Sequence, residues 1–229
     1  MEISKELQNF LSYINGFRGE TTDSLCHKVG LITNAKSKNA LLAKKIGEAY
    51  QGPSYYQALC ERNNLLIKTV TLNAAGFPKE AMSFPKFEYQ EIVQEQWESS
   101  TLRKLLSKLF LFAVFQKQGD HSVFLGAFPW LMPKHDLEGE VKAVWVKTVE
   151  IIISGNIVVS DKKKTVLAFP RESETTICHV RPHGKNALDL SKLPSIETNT
   201  NYIGLPAYSF WLNHQYVYDI IQKNQLFLK

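Results

Sequence analysis

The chain has 229 residues, 44% of them hydrophobic and 21% charged, which is typical of a globular protein with a substantial core. No apolar stretch reaches the roughly 18 residues that a transmembrane helix needs, and the start lacks the basic and apolar regions of a signal peptide. The 3 cysteines, widely and irregularly spaced, predict free thiols and a reducing, cytoplasmic location. The net charge of +5 favours a polyanionic partner over a membrane.

The first part of the chain, about 1–55, is predicted to be helical. Apolar residues recur at helical spacing within 1–17, and Thr22-Asp-Ser24 supplies N-cap candidates for a second helix. A third helix is predicted over 38–50, ending at Gly52-Pro53. This opening region is expected to flank a sheet.

A short buried strand is predicted from Leu65 to Leu72, because apolar and β-branched residues fill this stretch between asparagines. Its one interior charge is Lys68. A buried lysine is costly without an anionic partner or a solvated cleft. Lys68 therefore either faces solvent or belongs to a site.

Beyond this strand the pattern alternates between strands and helices. The predicted elements are a turn-rich segment over 74–87, an acidic helix over 88–98, a strand in the second half of 105–115, an antiparallel partner over 122–131, a helix over 134–155, strands at 165–169 and 177–181, a loop over 187–197 and a helix over 210–221. This order predicts one α/β domain over 1–229, in which a mixed sheet part, about 56–229, is flanked by helices.

Zinc is the one metal for which the spacing of cysteine and histidine residues offers a candidate site. It would need Cys or His pairs at short spacing in two places, and only Cys178-His179 with His183 comes close. Pro182 prevents these residues from sharing a regular helix face. We therefore predict no metal there.

The stretch Leu66-Ile-Lys-Thr-Val70 resembles the strand of the MutH-type endonucleases, a branch of the PD-(D/E)xK superfamily, in which an acid precedes a lysine by two residues. The similarity is closer still to type II restriction endonucleases of the staphylococcal GATC-cutting type. In those enzymes two MutH-like halves stand in tandem, and the C-terminal half lacks an active site. The stretches that carry this resemblance are Lys68-Thr-Val70, Lys79-Glu-Ala-Met-Ser-Phe84, Glu95-Gln-Trp-Glu98, Gly139-Glu-Val-Lys142 and Cys178-His-Val-Arg-Pro-His183. The resemblance implies a MutH-like, PD-(D/E)xK fold.

The resemblance also implies that this chain does not cleave DNA. The positions that match the catalytic acids hold Ala43, Leu59 and Leu66, and only Lys68 is retained. Because Mg²⁺ requires hard oxygen ligands, no cofactor is expected here, and magnesium is expected only in the catalytic half of a parent enzyme. An active Mg²⁺-dependent GATC endonuclease with a migrated acid, such as Glu61, stays open as an alternative.

The family reads DNA through an Arg-Pro-Lys-Gly loop, which Arg-Pro-His-Gly resembles here. The DNA-binding residues that this implies are Arg181, Pro182, His183, Gly184, Lys185, Asn186, Trp211 and, near the family's adenine-sensing acid, Glu80. The fork of Arg181 fits guanine O6 and N7, His183 can donate to the same edge, and Gly184 allows close approach. Alternatively, Arg181 pairs with Glu174 or Asp189.

Together these residues predict a DNA-binding effector domain without catalysis. Its expected partners are duplex DNA containing GATC and the catalytic N-terminal half of the same enzyme, which DNA binding here would stimulate. Self-association on DNA stays open. A protein-interaction module without DNA binding is the alternative from another functional class.

Overall fold

The structure is a computed structural model that describes residues 3–155, 168–183, 190–192 and 204–225. For residues 190–192, 204 and 205 it describes the backbone alone. The strand predicted at 165–169 and the loop predicted at 187–197 lie largely outside the described residues. Within these ranges the chain is a mixed α/β structure, as predicted.

Helices and strands alternate irregularly along the described residues. In chain order they are α1 (Lys5–Asn15), α2 (Thr22–Lys28), α3 (Lys38–Ala49), α4 (Pro53–Arg62), β1 (Leu65–Leu72), β2 (Met82–Phe87), α5 (Tyr89–Ile92), α6 (Thr101–Leu106), β3 (Leu109–Gln118), β4 (His121–Trp130), α7 (Lys134–Asp136), α8 (Lys142–Ile153), β5 (Cys178–Pro182), β6 (Leu190–Lys192), β7 (Gly204–Pro206), β8 (Tyr208–Leu212) and α9 (His214–Lys223). None of these helices has the length and apolarity to cross a bilayer.

The chain divides into two compact units, each assembled from separate stretches. Among the described residues, unit 1 contains 3–80, 108–131 and 218–225, and unit 2 contains 81–107, 132–155, 168–183, 190–192 and 204–217. The single domain over 1–229 stays a prediction.

The helices of unit 1 follow the sequence signals for helix starts and apolar stripes. In α1 the Ser4 hydroxyl accepts from the Leu7 amide, and the apolar stripe is buried. The cap of α2 is Thr21, one residue before the predicted candidates, and its hydroxyl accepts from the Ser24 amide. These caps satisfy amides that have no partner within the helix.

Helix α4 was not predicted from the sequence, in which Gly52-Pro53 indicates the end of α3. Gly52 has φ of 93°, and Pro53 occupies the first helical turn. Proline suits that position because its missing N–H would have no intrahelical acceptor. The same dipeptide therefore ends one helix and begins the next.

Unit 1 contains a mixed sheet in the order β1-β3-β4, of which the antiparallel pair of β3 and β4 was predicted from the sequence. β1 runs parallel to β3, and β3 runs antiparallel to β4. One face of this sheet packs against the helices in a core that includes Phe10, Leu42, Leu59, Leu111 and Phe115. The predicted bounds of β1, Leu65 and Leu72, are confirmed.

Unit 2 contains an antiparallel sheet in the order β2-β8-β5 and a two-stranded ladder of β6 and β7. The predicted helix over 134–155 is confirmed as α7 and α8, joined by the π-helical segment Leu137–Val141. Gly139 interrupts regular helical geometry inside that segment, with ψ of −105°.

Three predictions in unit 2 are corrected. The turn-rich segment over 74–87 contains strand β2, and the acidic helix over 88–98 is reduced to α5 and a 3₁₀ turn at Trp97–Ser99. The helix predicted from Phe210 begins only at His214, because 208–212 form the central strand β8. The aromatic residues at 208, 210 and 211 favour a strand there.

Candidate nucleic-acid interface

The predicted base-reading residues Arg181 and His183 lie at the end of β5. This strand pairs with β8 so that Arg181 lies opposite Ser209 and His179 lies opposite Trp211. Directly opposed residues in an antiparallel pair point to the same face of the sheet. Arg181, Ser209, His179 and Trp211 therefore share one face, which we call the polar face.

The other face of these strands is the apolar core of unit 2. Cys178, Val180, Tyr208, Phe210 and Leu212 are all buried there. Since side chains alternate along a strand, burial of this set fixes the register and turns the polar set to the opposite face. The core thus determines which way Arg181 points.

Arg181 is exposed and lies over the indole of Trp211, with the guanidinium carbon 4.4 Å from the ring centroid. This is a cation–π arrangement, which favours arginine because its planar group stacks on the ring. The alternative pairing with Glu174 is not seen, since Glu174 binds Arg171 at 2.9 Å. Asp189 lies outside the described residues. Trp211 is half-buried and packs against the guanidinium of Arg181.

His183 is fixed on the same face by two hydrogen bonds. Its amide donates to the Ala207 carbonyl at 2.8 Å, and its Nδ1 lies 2.8 Å from the buried hydroxyl of Ser209. Its ring centroid is 5.8 Å from that of Trp211. Because Nδ1 is engaged by Ser209, Nε2 is the ring nitrogen that remains to meet a ligand.

His179 occupies the buried end of the polar face, where it is 2% exposed. Asn213 Nδ2 donates to the Thr175 carbonyl at 2.9 Å, so Asn213 Oδ1 is the atom that faces His179 Nδ1 at 2.6 Å. The proton therefore resides on Nδ1 of His179. Burial lowers the pKa of His179, so this histidine is neutral and structural.

Glu140 anchors the beginning of β5. Its carboxylate accepts from the amides of Thr176 at 2.8 Å and Ile177 at 2.5 Å, and from the Thr176 hydroxyl. Burial acts to raise the pKa of Glu140, but these hydrogen bonds prevail and lower it below 4.5. A charged acceptor thus ties the π-helical segment to the strand that carries Arg181.

We expect Glu140→Gln to lower the free energy of unfolding by about 2 kcal/mol at pH 7, because the charged hydrogen bonds to the amides of Thr176 and Ile177 are lost. A depressed pKa contributes stability above its unfolded value of 4.5 and loses it as pH falls through the folded value. The deficit should therefore shrink when urea unfolding is repeated at pH 3. Glu150→Gln, the same change at an exposed position of α8, is the control. A deficit that does not depend on pH would contradict this assignment.

The other predicted DNA-binding residues are placed as follows. Pro182 is exposed at the end of β5, and Glu80 is exposed in unit 1, between β1 and β2. Gly184, Lys185 and Asn186 lie outside the described residues. The structure thus brings together Arg181, His183 and Trp211 from the predicted set.

The positions that match the family's catalytic acids do not meet around Lys68. Ala43 and Leu59 are buried among the helices, with exposures of 7% and 0%, in the core that also contains Leu65. Leu66 and Lys68 alternate with Leu65 along β1, so they point to the opposite face of the sheet. Buried apolar side chains therefore occupy two of the three positions at which the resemblance expects acids.

Lys68 is half-buried on the sheet face that bears Phe110 and Phe112, which lie opposite Leu66 and Lys68 in the parallel pair. Burial lowers the pKa of Lys68 to about 8. Lys68 is thus partly buried, and the two interpretations of this residue, solvent-facing or part of a site, stay open. Its amine lies in a partly desolvated setting, which disfavours the charged form.

No protein-family model matches the chain. The type II restriction enzyme Sau3AI of Staphylococcus aureus is 29% identical over 246 aligned residues, which cover 92% of this chain and 49% of that enzyme. The chain is similar to one half of a type II restriction enzyme. It spans about half the length of Sau3AI, and the predicted resemblance to type II restriction endonucleases is thereby confirmed.

Glu61, the candidate for a migrated acid, and the neighbouring carboxylate Glu48 have other contacts. Glu48 lies within 2.9 Å of Lys45 and 3.6 Å of Lys44, and exposed Glu61 accepts from Gln57 at 3.0 Å. Cys178 and His179 point to opposite faces of β5. Among the described residues, no three His, Cys, Asp or Glu side chains are placed to share a metal ion.

Sequence reasoning missed Ser209, Asn213 and Glu140, the residues that hold the polar face together. The alternation of Tyr208-Ser-Phe-Trp-Leu212 could have revealed Ser209 as the neighbour of Trp211 on one face. Nothing in the local sequence indicates that Glu140 reaches amides about 36 residues away.

Proposed function

We propose that this chain is the non-catalytic, DNA-binding half of a type II restriction enzyme, with a MutH-like, PD-(D/E)xK fold. The observation that carries the proposal is the polar face of unit 2, where exposed Arg181 is held over Trp211 beside His183. Similarity to Sau3AI makes duplex DNA the ligand to test first. GATC is the proposed sequence.

The polar face offers the donors that base reading requires. A guanidinium can donate two parallel hydrogen bonds to guanine O6 and N7, and an imidazole N–H can donate to the same edge. Stacking on Trp211 limits the orientations of Arg181, so less entropy is lost when it meets a base. The net charge of +5 supports phosphate contacts, which supply most of the affinity for DNA.

The proposal that this half does not cleave rests on the residues at the three acid positions. Ala43, Leu59 and Leu66 offer no oxygen ligand for Mg²⁺, and two of them pack in the core of unit 1. A metal would have to be held by carboxylates from elsewhere, such as Glu61. Purified protein should therefore leave GATC plasmid intact with Mg²⁺. Nicking that Glu61→Ala abolishes would establish the alternative of a migrated site.

A fluorescence anisotropy titration tests DNA binding directly. We expect tighter binding to a GATC duplex than to a scrambled duplex of equal length, with affinity that falls as salt rises. A methylated GATC duplex in the same series measures whether the site senses methylation. Absence of salt-dependent binding to any duplex would contradict the proposal and favour a protein-interaction module.

The proposed partners are GATC duplex and a catalytic half, with binding here stimulating cleavage there. Such coupling requires that bound DNA favours the active arrangement of the other half, by docking or by looping two sites together. Cleavage by a catalytic half, measured with and without this chain and a second GATC duplex, tests the coupling. Sedimentation of the chain with and without the duplex tests self-association.

A further inference from the structure

Strand β2, at one edge of the sheet that carries the polar face, contains a β-bulge. Ser83 lies opposite Trp211 and Lys86 lies opposite Ser209, so three residues of β2 span the length of two residues of β8. In a regular strand, residues three apart point to opposite faces. The extra residue of the bulge reverses this and turns Lys86 onto the face of Ser83.

The bulge aligns Lys86 with Arg181. Both lie opposite Ser209, one on each side of the central strand β8. Neighbouring strands are about 4.8 Å apart, so the Cα atoms of Lys86 and Arg181 are about 10 Å apart. Both side chains are exposed. The polar face therefore presents two cations in one row, across a buried serine.

We propose that Lys86 binds a backbone phosphate of the duplex whose bases Arg181 reads. This inference rests on the proposed function and adds a contact to the same face. Lysine suits the role because its ammonium is a compact charge that accepts any phosphate geometry, whereas the fork of Arg181 suits a base edge. The two cations thus have different tasks.

The spacing fits a duplex. The major groove is about 12 Å wide, so a side chain that meets a base edge near its middle has each backbone about 6 Å to the side. Lys86 starts about 10 Å from Arg181, which is farther to the side than the backbone of the groove. Its ammonium therefore meets a backbone phosphate before it could reach a base edge.

The ion pair between Lys86 and Glu88 lies at the surface. The Lys86 ammonium lies 3.3 Å from Glu88 Oε1, and the two side chains are 44% and 39% exposed. Exposed pairs of this kind contribute little to stability. A phosphate can therefore replace Glu88 at little cost.

The test compares Lys86→Gln with Lys104→Gln in the whole chain. Lys104 is an exposed lysine of α6 in the same unit, so the two variants lose the same charge at different places. Anisotropy titrations on GATC and scrambled duplexes from 50 to 200 mM salt give affinity and its salt slope. We expect Lys86→Gln to lose about tenfold on both duplexes and to reduce the slope by about 0.9, with Lys104→Gln close to wild type.

A second measurement identifies the contact as a phosphate. Duplexes that each carry one neutral methylphosphonate linkage should include one that weakens wild type but leaves Lys86→Gln unchanged. Equal behaviour of the two lysine variants, with wild type still binding DNA, would overturn this inference alone. A loss confined to GATC would also overturn it, because Lys86 would then read a base. Absence of wild-type binding would overturn the proposed function as well.

Discussion

Arg181→Ala is expected to weaken binding to a GATC duplex by about 1–3 kcal/mol and to leave binding to a scrambled duplex largely unchanged. The guanidinium lies over Trp211 at 4.4 Å and is exposed, so its removal should not disturb the core of unit 2. The loss would come from two hydrogen bonds to a base edge. Anisotropy titrations on the two duplexes at one salt concentration measure the difference.

Arg181→Lys provides the matched variant. It keeps the charge but removes the planar fork, so it should retain affinity for scrambled DNA and lose preference for GATC. Equal losses on both duplexes for Arg181→Ala would contradict base reading and would make Arg181 a phosphate contact. Circular dichroism of both variants confirms that the fold is retained.

Leu59→Asp is expected to lower the free energy of unfolding by more than about 4 kcal/mol. The substitution puts an acid where the resemblance expects one, but Leu59 is 0% exposed in the helical core of unit 1. The loss combines a cavity with burial of a charge or of an unpaired carboxyl group. Urea unfolding monitored by circular dichroism measures it.

Leu59→Met is the control, because a swap that conserves volume should cost less than about 1.5 kcal/mol. If Leu59→Asp were as stable as Leu59→Met, the position would be wetter than the structure indicates. Mg²⁺-dependent nicking by the aspartate variant would contradict the proposal that the acid positions have become core.

The elements that could be predicted are those with strong local patterns. Strand β1 was predicted at its observed bounds because asparagines limit a stretch of apolar and β-branched residues, and the pair of β3 and β4 was predicted because a polar turn separates two apolar segments. Helix α4 was not predicted because Gly52-Pro53 also suits the end of a helix, and a helix from Phe210 was predicted where β8 lies. In both cases the local sequence is compatible with two kinds of secondary structure.

The candidate site was predictable only in part. Arg181 and His183 belong to the Arg-Pro-His-Gly motif, and Trp211 is an aromatic position that the resemblance also implies. The three side chains do meet in the structure. Lys86 could not be found from sequence, because strand alternation would put it on the wrong face without the bulge. Long-range contacts such as those of Glu140 have no signal in the neighbouring sequence.

Both outer strands of the β2-β8-β5 sheet contain a proline, Pro85 within the bulge of β2 and Pro182 at the end of β5. A prolyl nitrogen cannot donate, so neither strand offers an unbroken row of donors to an additional strand. The sheet is thereby guarded against edge-to-edge aggregation. We expect two copies of this protein brought together on one duplex to remain separable when the nucleic acid is removed.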